Sequence, residues 1–315
     1  MNIALDMMGG DFAPEETAKS VELFFSKPRE NVHISLIGDE QQIKAQLANF
    51  KVESEAFSII HTSQAIEMHE HPTKALKEKP DSSIAVGFNL LSSGKVDAFI
   101  SAGNTGAMMV GALFSIKAVE GVSRPAIGAY LPQENGKLSL MVDVGLNSDC
   151  KPENLSQFAT LGSLFADHIL NISNPRVALI NLGSEEGKGN LLTQAAFSLL
   201  KENSQINFIG NAEGRDLLND MADIYVCDGF TGNVVLKFAE SIYDIVQRRE
   251  IVDEHFNRFN FEIYGGVPVL GVNKPVIIGH GISHALAFVN MIEMAKKMYD
   301  EKLTEKIRSS FSMNK

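Results

Sequence analysis

Cysteine is scarce. Cys150 and Cys227 are the only two in 315 residues, which excludes a disulfide scaffold and suits a reducing cytosol, with a single bridge between them left open. Basic charge is in deficit: 28 Lys and Arg stand against 39 Asp and Glu, a formal net charge of −11. A chain this acidic lacks the positive field of most nucleic-acid binders and is repelled by an anionic bilayer at long range. No nucleic-acid partner is expected, and an anionic partner must meet a local basic cluster. Gly 25 and Pro 10 are too few for a low-complexity chain. Long hydrophobic runs are missing as well. The longest uncharged stretch, Ala98 to Ile116, holds Ser101, Asn104, Thr105, Ser115 and three glycines, a poor membrane span. Met1 to Asp6 carries no basic residue and the first lysine is Lys19, so no signal peptide is expected and the expected location is cytoplasmic.

What remains is an ordinary globular composition, 44% hydrophobic and 21% charged, in a chain long enough to bury roughly 75% of its unfolded surface. Short apolar stretches alternate with helical patterns from the first residue. Asn2–Asp6, Val32–Ile37, Phe57–Ile60, Ala98–Ser101, Ala126–Leu131, Leu138–Val144, Arg176–Asn181, Ile206–Ile209 and Ile224–Cys227 read as strands. Several are continuously apolar, as strands covered on both faces are. Glu15–Phe25, Glu40–Ala48, Asn154–Phe165, Leu191–Leu200 and Val234–Ile245 read as helices, and another begins at Asp81 or the serines after it. Ala285–Ile307 reads as one more. The alternation predicts an α/β fold with a mainly parallel sheet covered on both sides. No linker, repeat or low-complexity block interrupts it. The whole chain, 1–315, reads as a single α/β catalytic unit, with two lobes sharing one sheet as the alternative. Residues 241–263 read as a short amphipathic helical insert.

Five times a strand runs into a glycine-rich polar loop before a helix. The loops are Asp6-Met7-Met8-Gly9-Gly10-Asp11, Ser101-Ala102-Gly103-Asn104-Thr105-Gly106, Asp143-Val144-Gly145-Leu146-Asn147, Gly183-Ser184-Glu185-Glu186-Gly187-Lys188-Gly189-Asn190 and Asp228-Gly229-Phe230-Thr231-Gly232-Asn233. In an open parallel sheet ligands bind beyond the carboxyl ends of the strands. Glycine lets the backbone approach a ligand, and helix N-termini offer unpaired N–H groups to anions. One such loop is turn chemistry; five predict a phosphate-binding cleft. The familiar phosphate motifs fail. Gly183 to Gly187 is one residue short of a Walker A, Gly189 stands where Ser or Thr belongs, and no G-x-G-x-x-G follows a strand. Gly281-Ile282-Ser283-His284-Ala285 misses the nucleophile-elbow pattern at Ala285, and no Glu between His280 and His284 makes a zinc motif.

These loops, in this order, resemble the bacterial phosphate acyltransferase family, PlsX. The likeness extends through Asn211-Ala212-Glu213-Gly214-Arg215-Asp216, Tyr264-Gly265-Gly266 and Gly279-His280-Gly281, with Leu146 where the family usually has Ala. The resemblance implies a three-layer α/β/α sandwich similar to phosphotransacetylases and isopropylmalate dehydrogenases, usually homodimeric. It implies an acyltransferase of fatty-acid and phospholipid metabolism. The reaction converts acyl carrier protein thioester and inorganic phosphate to acyl phosphate, which a membrane glycerol-3-phosphate acyltransferase consumes. No cofactor or metal is implied. Many members carry a longer amphipathic hairpin before Tyr-Gly-Gly, linked to membrane contact at the inner face. Here Ser241–Ile263 is shorter and heavily charged.

For that reaction Lys188 with the Gly187 and Gly189 amides is expected to hold phosphate, beside Asn104 and Thr105. His280 is expected to donate to the oxyanion or protonate the thiolate, or else to be a buried structural histidine. Asp228 and Asn233 are expected to orient loops or take a proton from phosphate. Gly103, Gly106, Asn147, Asn190, Asn211 and Thr231 are further substrate-binding candidates. Arg215 either holds phosphate or locks Glu213 and Asp216. Arg248, Arg249 and Arg258 are the expected docking patch for the acidic carrier. Three rival readings stand: a phosphotransacetylase using acyl-CoA, a hydroxy-acid dehydrogenase on the same fold, and a non-catalytic lipid- or carrier-binding module.

Overall fold

The computed structural model describes residues 1–27, 31–50 and 54–312. Eleven strands occur among them: β1 Asn2–Asp6, β2 His33–Gly38, β3 Phe57–His61, β4 Ala98–Ser101, β5 Ala126–Pro132, β6 Leu138–Val142, β7 Arg176–Ile180, β8 Asn207–Ala212, β9 Ile224–Val226, β10 Gly266–Leu270 and β11 Val276–Gly279. The chain divides into two compact units, Met1–Lys117 with Phe261–Thr304 and Ala118–Asn260 with Glu305–Lys315. Each is a mostly parallel sheet flanked by helices, the α/β sandwich that the alternation predicted.

In the first unit the order is β3-β2-β1-β4-β11-β10. All neighbours are parallel except β10 and β11. The chain reverses its direction of travel across the sheet between β1 and β4, which opens a crevice beyond their carboxyl ends. The helices are α1 Glu15–Phe25, α2 Glu40–Leu47, α3 Pro72–Glu78, α4 Ser83–Ser92 and α5 Thr105–Gly111, whose last turn widens into a π-turn over Ala112–Ile116. Ser82 caps α4, its Oγ accepting from Ala85 N at 3.3 Å, so the helix start falls on a serine. Ile3, Ala4, Leu5, Phe99 and Ile100 are wholly buried, because helices cover both faces of these central strands.

In the second unit the order is β5-β6-β9-β7-β8, with only the β5–β6 hairpin antiparallel. Helix α6 spans Pro152–His168, α7 Leu191–Glu202, α8 Gly229–Arg248 and α9 Glu254–Asn257. Two expectations are corrected here. The amphipathic helix does not fill 241–263: α8 starts twelve residues earlier and stops at Arg248, and the chain then breaks at Glu250, whose φ is +54°. The expected C-terminal helix also breaks, into α10 Ala285–Asp300 and α11 Leu303–Ser312, at Lys302 with φ +51°. Periodicity continued through both points; a left-handed residue ended the helices.

Candidate active site

Parallel strands bring their carboxyl ends to one edge of each sheet, so the loops after β1, β4 and β11 share an edge in the first unit. Asp6 closes β1 and is buried. Its Oδ2 accepts from Ser101 Oγ at 2.6 Å and its Oδ1 from Met8 N at 2.9 Å. Ser101 Oγ accepts from Gly103 N at 2.9 Å. The two loops meet so closely that a Cβ on Gly9 would lie 2.6 Å from Gly103 N.

Asn104, expected among the reacting groups, is the N-cap of α5. Its Oδ1 accepts from Ala107 N at 2.9 Å. Its Nδ2 donates to the carbonyls of Glu67, Met68 and Glu70 at 2.9, 3.2 and 3.1 Å. The side chain is therefore committed within the scaffold, and the polar groups this turn presents are the Thr105 and Gly106 amides, which the cap leaves untaken. His280 directly follows β11, half-buried, with its ring 5.0 Å from that of Phe261.

The second unit holds two loop clusters at the carboxyl edge of β6, β9, β7 and β8. One surrounds Asp143, wholly buried just past β6. Its Oδ1 accepts from Ile127 N and Leu146 N, and its Oδ2 from Asn147 N and Asn147 Nδ2, at 2.7–3.3 Å. Asn147 Nδ2 also donates to Pro125 O at 2.8 Å, and Asn147 O accepts from Gly229 N at 2.7 Å. Asp228 caps α8, its Oδ1 accepting from Thr231 N at 2.9 Å and its Oδ2 from Thr231 Oγ1 at 2.8 Å. Asn233 Nδ2 donates to Val144 O at 3.2 Å. A Cβ on Gly232 would collide with the Asp143 carbonyl, and one on Gly229 would lie 2.7 Å from Asn147 O. These glycines seat α8 on the Asp143 turn.

The other cluster is the loop from Asn181 to Asn190. Asn181 Nδ2 donates to Lys188 O at 3.0 Å and to Asn211 Oδ1 at 3.2 Å. Asn211 Nδ2 donates to Glu185 O at 2.9 Å, and Gln194 Nε2 to Gly187 O and Gly189 O at 3.1 Å each. Asn190 caps α7, accepting from Thr193 N at 2.9 Å. Gly189, at φ +104°, lies against Thr193 and Asn181, where any Cβ would clash. Four amide side chains thus fix the loop backbone, while Lys188 is exposed and its ammonium has no ion-pair partner among the described residues. Glu186 pairs instead with Lys201 at 3.0 Å.

The remaining candidates fall elsewhere. Arg215 is exposed and pairs with Glu213 at 2.9 Å, while Asp216 Oδ2 accepts from Glu213 N. Arg258, expected to dock the carrier, is taken up internally: its guanidinium donates to Gln133 O at 3.0 Å and Lys137 O at 2.7 Å, closing the β5–β6 hairpin. Arg248 and Arg249 are exposed at the end of α8. Both cysteines are free thiols, and burial pushes Cys150 up to about 11 and Cys227 well above the usual thiol range, so neither is an activated nucleophile. Ser283 is buried. Asp143, Asn181 and Gln194 were not among the expected site residues. For Asp143 the available signal was a lone carboxylate at a strand end followed by a glycine turn. Among the described residues no three His, Cys, Asp or Glu side chains group to hold a metal, and no helix is long and apolar enough to cross a membrane.

Burial pushes the Asp6 and Asp143 carboxyls above the ordinary carboxylate value, outweighing the donors that favour their anions. Between the unfolded value of 3.8 and the raised native one, the folded chain holds protons that the unfolded chain has released. These groups therefore make stability fall as pH rises through that window. Asp143→Asn removes this dependence, so the gap in urea midpoint between wild type and variant is expected to be larger at pH 4.5 than at pH 7.5. A gap that widens with rising pH would contradict the sign.

Residues 1–306 match the family described as "Fatty acid synthesis protein". The phosphate acyltransferase of Dictyoglomus turgidum is 42% identical, over 98% of this chain and 96% of its own. That of Halothermothrix orenii is 41% identical, over 99% of each. The chain belongs to the phosphate acyltransferase family. The chain is accordingly an enzyme that transfers an acyl group to phosphate. In fold it is similar to a phosphotransacetylase from Streptococcus pyogenes, with a TM-score of 0.66 at 18% identity over 95% of this chain and 94% of that one. A branched-chain phosphotransacylase from Enterococcus faecalis gives 0.61 at 13%, over 94% and 98%.

Proposed function

We propose that this enzyme takes its acyl group from acyl carrier protein and makes acyl phosphate for phospholipid synthesis. The observation that carries the reading is Lys188: a cation with no ion-pair partner among the described residues, on a loop whose backbone is held by four amide side chains and whose end is the N-terminus of α7. Phosphate bound in the second unit by Lys188 and the Gly187 and Gly189 amides, with Asn190, Asn211, Arg215, Asn147, Thr231 and Asn233 completing or shaping the cradle, attacks the thioester carbonyl. One phosphate oxygen forms the new C–O bond, the C–S bond breaks, and the proton carried by hydrogen phosphate ends on the carrier thiol. A thiolate with pKa near ~8.5 leaves without a strong acid. Catalysis is then alignment, worth roughly 7–11 kcal/mol, with stabilisation of the oxyanion by preorganised N–H donors. Asp228 orients α8 or relays the proton.

The carrier docks on Arg248 and Arg249. The exposed stripe Phe230, Val234, Phe238, Ile242 and Ile245 along α8 supports a homodimer. Acyl phosphate passes to a glycerol-3-phosphate acyltransferase at the inner face of the membrane, which the cytoplasmic enzyme meets peripherally. Purified protein given acyl carrier thioester and phosphate is expected to release acyl phosphate, faster than with acyl-CoA; no acyl phosphate, or a preference for acyl-CoA, refutes this reading. Arg248→Glu with Arg249→Glu is expected to raise the carrier KM at least tenfold at low salt and less at high salt, with phosphate KM unaltered. An unchanged carrier KM removes this patch from the docking site.

A further inference from the structure

Gln194 holds the Lys188 loop without packing on anything. It lies in the first turn of α7, and its own N–H closes that turn onto Asn190 O at 3.0 Å. The residue is exposed, so it covers no core. Its side chain reaches back over the turn, and Nε2 donates to Gly187 O and to Gly189 O, both at 3.1 Å. These carbonyls are the side chain's only hydrogen-bond partners among the described residues. The carbonyl between them, Lys188 O, accepts from Asn181 Nδ2 at 3.0 Å. Three consecutive carbonyls are thus spent on two side-chain amides, and Lys188 N is spent on Glu185 O at 3.1 Å.

In a trans peptide the C=O and the N–H point in opposite directions. The peptide that gives Lys188 O to Asn181 therefore turns Gly189 N–H away from Asn181. The peptide that gives Gly189 O to Gln194 turns Asn190 N–H away from Gln194. Neither N–H has an acceptor among the described residues. They lead into Leu191 and Leu192, the first residues of α7, whose N–H groups no helical carbonyl can take. Carbonyls that would repel an anion are held by the side-chain amides, and successive N–H groups of a turn bind anions. Glycine at 187 and 189 would let these peptides flip, so the clamp is what selects their orientation. We propose that Gln194 is a positioning residue for phosphate. It touches no substrate; it keeps the carbonyls of Gly187 and Gly189 off the anion so that the Gly189 and Asn190 amides meet it. This rests on the reading of Lys188 as a phosphate ligand given above.

Gln194→Met keeps the length and helix preference of the side chain and removes its donor. Phosphate KM is expected to rise about fivefold or more, the loss of two hydrogen bonds to the loop. The carrier thioester KM, and kcat at saturating phosphate, are expected to stay within about twofold, and the melting midpoint without phosphate within about 2 °C, as for a surface substitution. Inorganic phosphate alone gives a second reading without turnover. It is expected to raise the wild-type melting midpoint by binding the folded chain, and Gln194→Met to need about five times the concentration for the same rise. An unchanged phosphate KM overturns the proposal. So does a rise shared equally by phosphate and the carrier thioester, which would make Gln194 a structural residue only. Lys188→Met separates this result from the reading beneath it. A phosphate KM raised by Lys188→Met and not by Gln194→Met strikes the positioning role alone. One that neither variant moves strikes the phosphate site itself, as does a wild-type midpoint that phosphate leaves unmoved.

Discussion

Lys188→Met is expected to lower kcat/KM for phosphate about 100- to 1000-fold, the loss typical of deleting one preorganised group that stabilises developing charge. The variant should fold normally. The loop around residue 188 is held by Asn181, Asn211, Gln194 and Asn190 through backbone atoms, and none of these bonds uses the lysine side chain. The ammonium is exposed and unpaired among the described residues, so its removal breaks no ion pair. The melting midpoint should move by no more than about 2 °C, because surface substitutions of this kind stay within about ±0.5 kcal/mol. Initial rates at varied phosphate, beside a melting curve, check both halves. Lys188→Arg should recover part of the rate, since the charge remains while its shape and reach differ. Unchanged kcat and phosphate KM would show that Lys188 does not touch phosphate, and the cradle would then have to be sought in the amides alone.

Asp143→Ala is expected to act in the opposite way, on stability first. Its carboxylate is wholly buried and accepts from Ile127 N, Leu146 N, Asn147 N and Asn147 Nδ2. Alanine leaves those donors without an acceptor, at about 1–3 kcal/mol for each that stays unsatisfied. Relief of the buried charge offsets part of this, so a net loss of roughly 3–5 kcal/mol is expected. The apparent melting midpoint should fall by roughly 10 °C. Activity at temperatures where the variant is folded should fall as well, because Asn147 O receives Gly229 N at the start of α8. Thermal unfolding followed by circular dichroism decides it: a drop under about 2 °C would mean that the turn has other support. Asp6→Ala is the counterpart in the first unit, where Ser101 and Met8 lose their acceptor.

The two variants separate residues that look alike in the sequence. Lys188, Asn104, Asn147 and Asp143 sit in glycine-rich turns after strands and Asn211 near the end of β8, and nothing in the local sequence tells which side chain faces inward. Partners decide. Asn104 is spent on carbonyls 34 to 37 residues away, Asn147 on Pro125, and Asn211 on Glu185. Arg258, which reads as one more cation on a charged stretch, closes a hairpin 121 to 125 residues earlier. Lys188 stays available because its loop is held by others.

Local pattern settled much of this protein. Short apolar runs mark nine of the strand positions closely, Ala98–Ser101 to the residue, and where both faces are covered burial leaves no room for polar alternation. The motif order carried the family and its chemistry. Missed were β10, the short α3, and the two breaks at Glu250 and Lys302, since a single left-handed residue costs little and leaves the surrounding periodicity intact. Which polar side chains serve the scaffold and which face the substrate was decided only by the folded chain. A hydrogen bond is short and directional, and its partner is set by the register of strands far apart in the sequence.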